Sequence, residues 1–218
     1  MTHPQNSNQF SSPPLAVETI DLLGGWLCLD FVNTVDPRSG EHSHDFLTNY
    51  VDLVQWSHHA DVLTLEGRQY LLRAVTHRSI EASKIFERAI ILRETIYRIF
   101  FAVAHATSPE KADLDALQAA FAEAMLHASL VPTAEGFACE WLKREDALDC
   151  MLWPIASSAV ELLTSARVKR VKECPGVGDC GWLFLDTSKN GSRLWCSMED
   201  CGSRAKMRRQ YARKRASR

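Results

Sequence analysis

The chain has 218 residues, 46% of them hydrophobic and 24% charged, with 25 Lys/Arg against 27 Asp/Glu. That length suits one large domain, or one domain with a small module, and the composition excludes a fibrous or wholly disordered chain. The net charge of −2 hides an asymmetry: from Arg167 onward there are 14 Lys/Arg against 5 Asp/Glu, while the preceding 166 residues hold 11 against 22, so a polyanion is attracted to one end and repelled by the other.

Residues 1–14, MTHPQNSNQFSSPP, are polar and proline-bearing and read as a disordered tail without the basic and apolar segments of an export signal. The longest apolar runs, such as Ile99 to Ala104, are too short to cross a bilayer. A cytoplasmic chain with no membrane partner is expected. Seven cysteines in a reducing compartment favour metal ligation over disulfides. Cys28, Cys139 and Cys150 stand alone in apolar sequence and read as buried small hydrophobes.

Residues 15–166 read as a mainly helical domain. Gly24-Gly25 precedes Trp26 to Val32, a strand by composition, and a turn and loop follow over 33–40. Helices are predicted from Asn49 to Ala60, Thr64 to Val75 and Ser79 to His105, the last with Ile85, Ala89, Leu92, Ile96, Ile99 and Phe100 at three- and four-residue steps. Ser108-Pro109-Glu110 starts another helix, running to Ala128. A small hairpin is predicted around Glu135-Gly136, then a helix over 147–166 that Pro154 kinks or begins.

Polar groups inside these apolar segments are the candidate effector-binding residues: Asp30, Asn33 and Thr34 at the end of the first element, and Arg93 and Arg98 on the long helix. An arginine there suits an anionic small molecule. The same residues could equally tie the domain together. His42, His44, His58 and His59 have no companion ligands at metal spacing. Neither a phosphate loop nor a nucleophile elbow is present, and no catalytic residue is assigned.

Residues 167–173 read as a charged linker into a compact module over 174–218. Cys174 and Cys180, then Cys196 and Cys201, form two close pairs around an insertion, the pattern of a four-thiolate structural zinc site holding one Zn2+ per chain. Trp182 to Asp186 and Arg193 to Cys196 are predicted to pair as a hairpin through Asn190-Gly191. Behind Cys201 runs GSRAKMRRQYARKRASR. Turn, hairpin and basic helix around one ion make a treble-clef-like zinc finger. The helix has little apolar surface to bury, which makes Arg204, Lys206, Arg208, Arg209 and Arg213 candidate DNA contacts. With a core of its own read for the helical domain, removing zinc is expected to unfold the module alone.

Cys201-Gly202-Ser203-Arg204, with CGWLFLDTSKN and SRLWCSM before it, resembles the CGNR zinc-finger family, named for the tetrapeptide at its last cysteine. Serine stands where that tetrapeptide has asparagine. Gly25 to Thr34 and Leu92 to Phe100 are similar to parts of the helical ABATE domain that precedes such fingers. The resemblance implies a stress-linked transcriptional regulator, with an effector-sensing N-terminal domain and a DNA-binding finger that places it at the nucleoid. A homodimer would double the contacts of one short helix. Two other readings remain open on the sequence: an RNA-binding or protein-docking module with purely structural zinc, and an enzyme with its pocket in the helical domain.

Overall fold

A computed structural model describes residues 17–38, 43–141, 147–176 and 180–216 of the chain. The tail read at 1–14 and His42 lie outside these residues. The architecture is mainly helical with three two-stranded sheets, as expected. Helix α1 spans Leu27–Val32, α2 Tyr50–His59, α3 Leu65–Ala74, α4 Ser79–Ala104, α5 Lys111–Met125, α6 Leu152–Thr164 and α7 Ser203–Ala216. Strands β1 (Val35–Asp36) and β2 (His44–Asp45) pair, as do β3 (Ala128–Thr133) and β4 (Gly136–Trp141), and β5 (Val171–Glu173) and β6 (Leu183–Leu185), all antiparallel.

Local chemistry sets the helix ends. The Asn49 side chain accepts hydrogen bonds from the amides of Val51 and Asp52 at 2.7 and 3.1 Å, and Thr64 Oγ1 accepts from the Gly67 amide at 3.1 Å. α6 begins at Leu152, so Pro154 sits in its first turn, where the missing N–H costs nothing. α4 is the axis of the fold. Its buried residues Ile85, Ala89, Ile96, Ile99 and Phe100 face α1, α2, α5 and the β5–β6 sheet.

Four expectations are corrected. Residues 27–32 are a helix rather than a strand. Cys28, Leu29, Phe31 and Val32 are buried at helical spacing, and Asp30 Oδ1 accepts from the Gly24 amide at 2.7 Å, folding the chain back at the helix start. A Cβ on Gly24 would lie 2.7 Å from the Asp30 amide, so the approach needs glycine. The linker over 167–173 is ordered structure: a 3-10 turn, Ala166–Arg170, leads into β5. β6 pairs with β5 and not with Arg193 to Cys196, because the later segment wraps a buried carboxylate instead of forming a ladder. Cys139 is exposed on β4, a hairpin whose outer face carries Leu130 and Phe137; Cys28 is buried as expected and Cys150 half-buried.

One contiguous core runs from Val17 to the four paired cysteines. Asn33, 1% exposed, joins its two ends: its Nδ2 donates to the Leu183 carbonyl at 2.8 Å, and its Oδ1 accepts from the Leu183 amide at 3.0 Å. The Trp182 indole donates to the Val35 carbonyl at 2.9 Å, and the Leu185 amide to the Gly24 carbonyl at 2.8 Å.

Candidate metal centre and basic helix

Cys174 and Cys180 flank the turn between β5 and β6. The Cys174 amide donates to the Trp182 carbonyl at 2.8 Å, and the Gly181 amide to the Cys174 carbonyl at 3.3 Å, which closes the turn. Gly176 permits it: a Cβ there would fall 2.3 Å from the Cys180 Cβ. Cys196 and Cys201 lie at the entry to α7, where a wide turn over Met198–Gly202 is capped by Ser197 Oγ accepting from the Asp200 amide at 3.1 Å.

These elements gather the four sulfurs within 4.8 Å of one another, all in buried residues. The Cys180–Cys196 and Cys196–Cys201 sulfur separations are both 3.7 Å. Tetrahedral zinc with Zn–S bonds of about 2.3 Å sets its sulfurs about 3.8 Å apart. Hydrogen bonds from Cys180 and Cys196 draw the Cys174 thiol well below the usual thiol range. The bond to Cys174 in turn holds Cys180 and Cys196 far above the thiol range, and burial raises Cys201. Without a cation the cluster therefore favours a single thiolate, and a zinc ion supplies the charge that lets all four sulfurs ionise and ligate. With four sulfur ligands the ion has no open position, so the site is structural.

A buried network that sequence spacing did not reveal braces the centre. Asp186 is 0% exposed. Burial alone would raise its pKa, but Lys172 Nζ at 2.6 Å, the Ser188 hydroxyl at 2.6 Å and the Ser188 amide hold it well below the usual carboxylate range. The Arg193 amide donates to the same carboxylate at 3.1 Å. The Arg193 guanidinium lies over the Phe184 ring and donates to the carbonyls of Trp195, Cys196 and Leu23. This ties the second cysteine pair to the N-terminal half. An isolated acid and arginine in a hairpin-like run give no local signal of such roles.

α7 carries Arg204, Lys206, Arg208, Arg209, Arg213, Lys214 and Arg215 and no acidic residue. Of its described side chains only Ala205 is buried. Arg204 pairs with Asp200, and its Nη2 lies 3.8 Å from Cys201 Sγ, directing positive charge at the thiolate.

Residues 25–166 match the ABATE family, described as a "putative stress-induced transcription regulator". The chain belongs to the ABATE family. Residues 170–214 match the CGNR zinc finger. No curated protein matches the chain. Neither of the two families is an enzyme family. Among the described residues no helix is long and apolar enough to cross a membrane. In the CGNR finger Ser203, in the tetrapeptide's asparagine position, donates its hydroxyl to the Met198 carbonyl at 3.2 Å.

Within the ABATE domain the five effector candidates do not form one pocket. Asp30 is bound to Gly24 and Asn33 to Leu183. Thr34 and Arg93 do meet: the Arg93 Nη1 donates to Thr34 Oγ1 at 3.1 Å and to Asp45 Oδ1 at 2.7 Å, deep in the fold with Arg93 3% exposed. Arg98 points elsewhere, pairing with Asp113 of α5 at 2.6 Å. Each is satisfied by protein partners. Polar residues in apolar segments are here the tertiary hydrogen bonds of the fold.

Proposed function

We propose that the chain is a zinc-dependent, sequence-specific DNA-binding transcriptional regulator whose ABATE domain responds to a small molecule or a partner. The carrying observation is α7, a helix with seven cations, no acid and almost no buried side chain, rooted at the zinc centre. A helix that packs on little is free to enter a groove. Its anchoring to the metal and, through Arg193, to the body of the protein gives it a fixed direction. Lys206, Arg208, Arg209 and Arg213 are the DNA contacts. Arg204 serves as the positioning residue that links the Cys201 thiolate to the helix. A homodimer sets two such helices on a two-fold site. The protein acts in the cytoplasm, at the nucleoid when bound, and is not an enzyme.

A second reading has one observation behind it. Met207 and Tyr211 are exposed one turn apart on α7, 52% and 67%, which suits protein docking or base stacking in RNA. Competition separates the readings: duplex DNA displaces a labelled duplex under the first, and only single-stranded RNA or a protein does so under the second.

A further inference from the structure

We propose that the ABATE domain holds a small amphipathic organic anion between α4, α5 and α6, with Arg88 at its charged end; this rests on the reading of that domain as a sensor. Two cavities, of about 220 and 420 Å³, meet at Arg88. The smaller is walled by Ile91, Leu92, Ala120, Leu152, Trp153 and Ala156 and accepts an aliphatic chain or a single ring. Its volume lies below the range of drug-sized sites, which limits the ligand to a short one. The larger carries Arg78, Lys84 and Arg88 against Glu81 and Asp149, a positive balance.

Trp153 lines the smaller cavity and His127 the larger, and each carries a buried ring nitrogen. Trp153 is 3% exposed, and its Nε1 has no hydrogen-bond partner among the described residues. His127 Nδ1, from the larger cavity, is likewise buried without one. The two rings stack at 3.9 Å. An indole N–H can only donate, and this one is closed to solvent, so a ligand carboxylate pairs with it only where the stacked rings shift on binding. Arg88 is available to the same carboxylate. Its present partners, Glu123 at 2.7 Å and Asp149 at 3.5 Å, form pairs in which the arginine is 47% exposed, and exposed pairs of this kind exchange at little cost. β5 and β6 also pack on α4, so the site and the metal centre share an element.

The test is calorimetric titration of the zinc-loaded full chain, without DNA, using octanoate with octanamide and octylamine as controls. Octanoate is expected to bind saturably at one site per chain. Octanamide binding to the wild-type chain, and octanoate binding to Arg88→Gln, are each expected to be weaker by about tenfold or more than octanoate binding to the wild type. Ala119→Trp, at an exposed α5 position on the smaller cavity, is expected to abolish binding while circular dichroism stays unchanged; Ala116→Phe, also exposed there, replaces it if the first variant does not fold. No saturable binding of octanoate, equal binding of octylamine, or undiminished binding in the filled variant overturns the proposal. Because no DNA is present, such a failure leaves the DNA reading standing, and a chain that binds octanoate but no DNA fails only that reading.

Discussion

At the residue scale, two side chains near the start of the fold carry opposite lessons. Asn33 satisfies both backbone groups of Leu183 from a site 1% exposed. Asn33→Ala leaves a buried N–H and C=O unpaired, and urea unfolding is expected to show a loss of about 2–4 kcal/mol. Asp30 is a carboxylate held where its charge is unwelcome. Burial raises its pKa to about 6, against the lowering effects of the Gly24 amide and of His59. A raised acid pKa favours the protonated folded form, so the wild type is expected to lose stability as pH rises from about 4 to about 6. Asp30→Asn keeps the acceptor for Gly24 without the charge. It is expected to exceed wild type by up to about 3 kcal/mol at pH 7 and to match it below pH 4; denaturant midpoints across that range check this. Asp30 and Asn33 stood out in the sequence as polar groups in apolar runs. Only their partners, 6 and 150 positions away, show that they serve the fold, and no local pattern reports such distances.

At the scale of elements, what was legible followed from period and spacing. α2 to α5 were readable because amphipathic helices repeat their apolar residues every turn. The β3–β4 hairpin was readable because its turn is local. α1 was not, since six mostly apolar residues fit a strand or a short buried helix equally well. β5 was hidden in a charged stretch, because only Val171 of its three residues is buried. The cysteine pairs were legible as ligands because their spacing is close along the chain. Their integration was not, because strands β5 and β6, next to Cys174 and Cys180, pack against α1 and α4 through distant contacts. This changes the consequence of metal loss. Cys196→Ser or chelation is expected to remove the one zinc and to destabilise the ABATE domain with the finger, in one cooperative transition. Thermal scans by far-UV circular dichroism with and without chelator check it; an unchanged helical transition would show the finger to be energetically separate. Asp186→Ala is expected to cost about 3 kcal/mol at neutral pH, since it leaves Lys172 beside a buried void in the same region. The depressed pKa of Asp186 means its contribution persists at neutral pH and is lost only as pH falls below about 4.

At the scale of the molecule, an acidic body carries a basic helix on a metal-braced root. The body repels a polyanion and the helix attracts it, so the proposed DNA binding would run through α7 and not through the body. The Asn33, Trp182 and Arg193 contacts tie the body to the root of α7. The most direct measurement is a salt titration of duplex binding by the zinc-loaded chain, repeated with Arg208→Ala, Arg209→Ala and Arg213→Ala. Four to six phosphate contacts predict a log–log slope of roughly −4 to −5. Each variant that loses a phosphate contact is expected to lower the slope by about one. Arg204→Ala is expected to leave the slope nearly unchanged while weakening zinc retention, because that side chain is engaged with Asp200 and Cys201. A flat response to salt, or equal affinity after deletion of residues 204–218, would contradict the account.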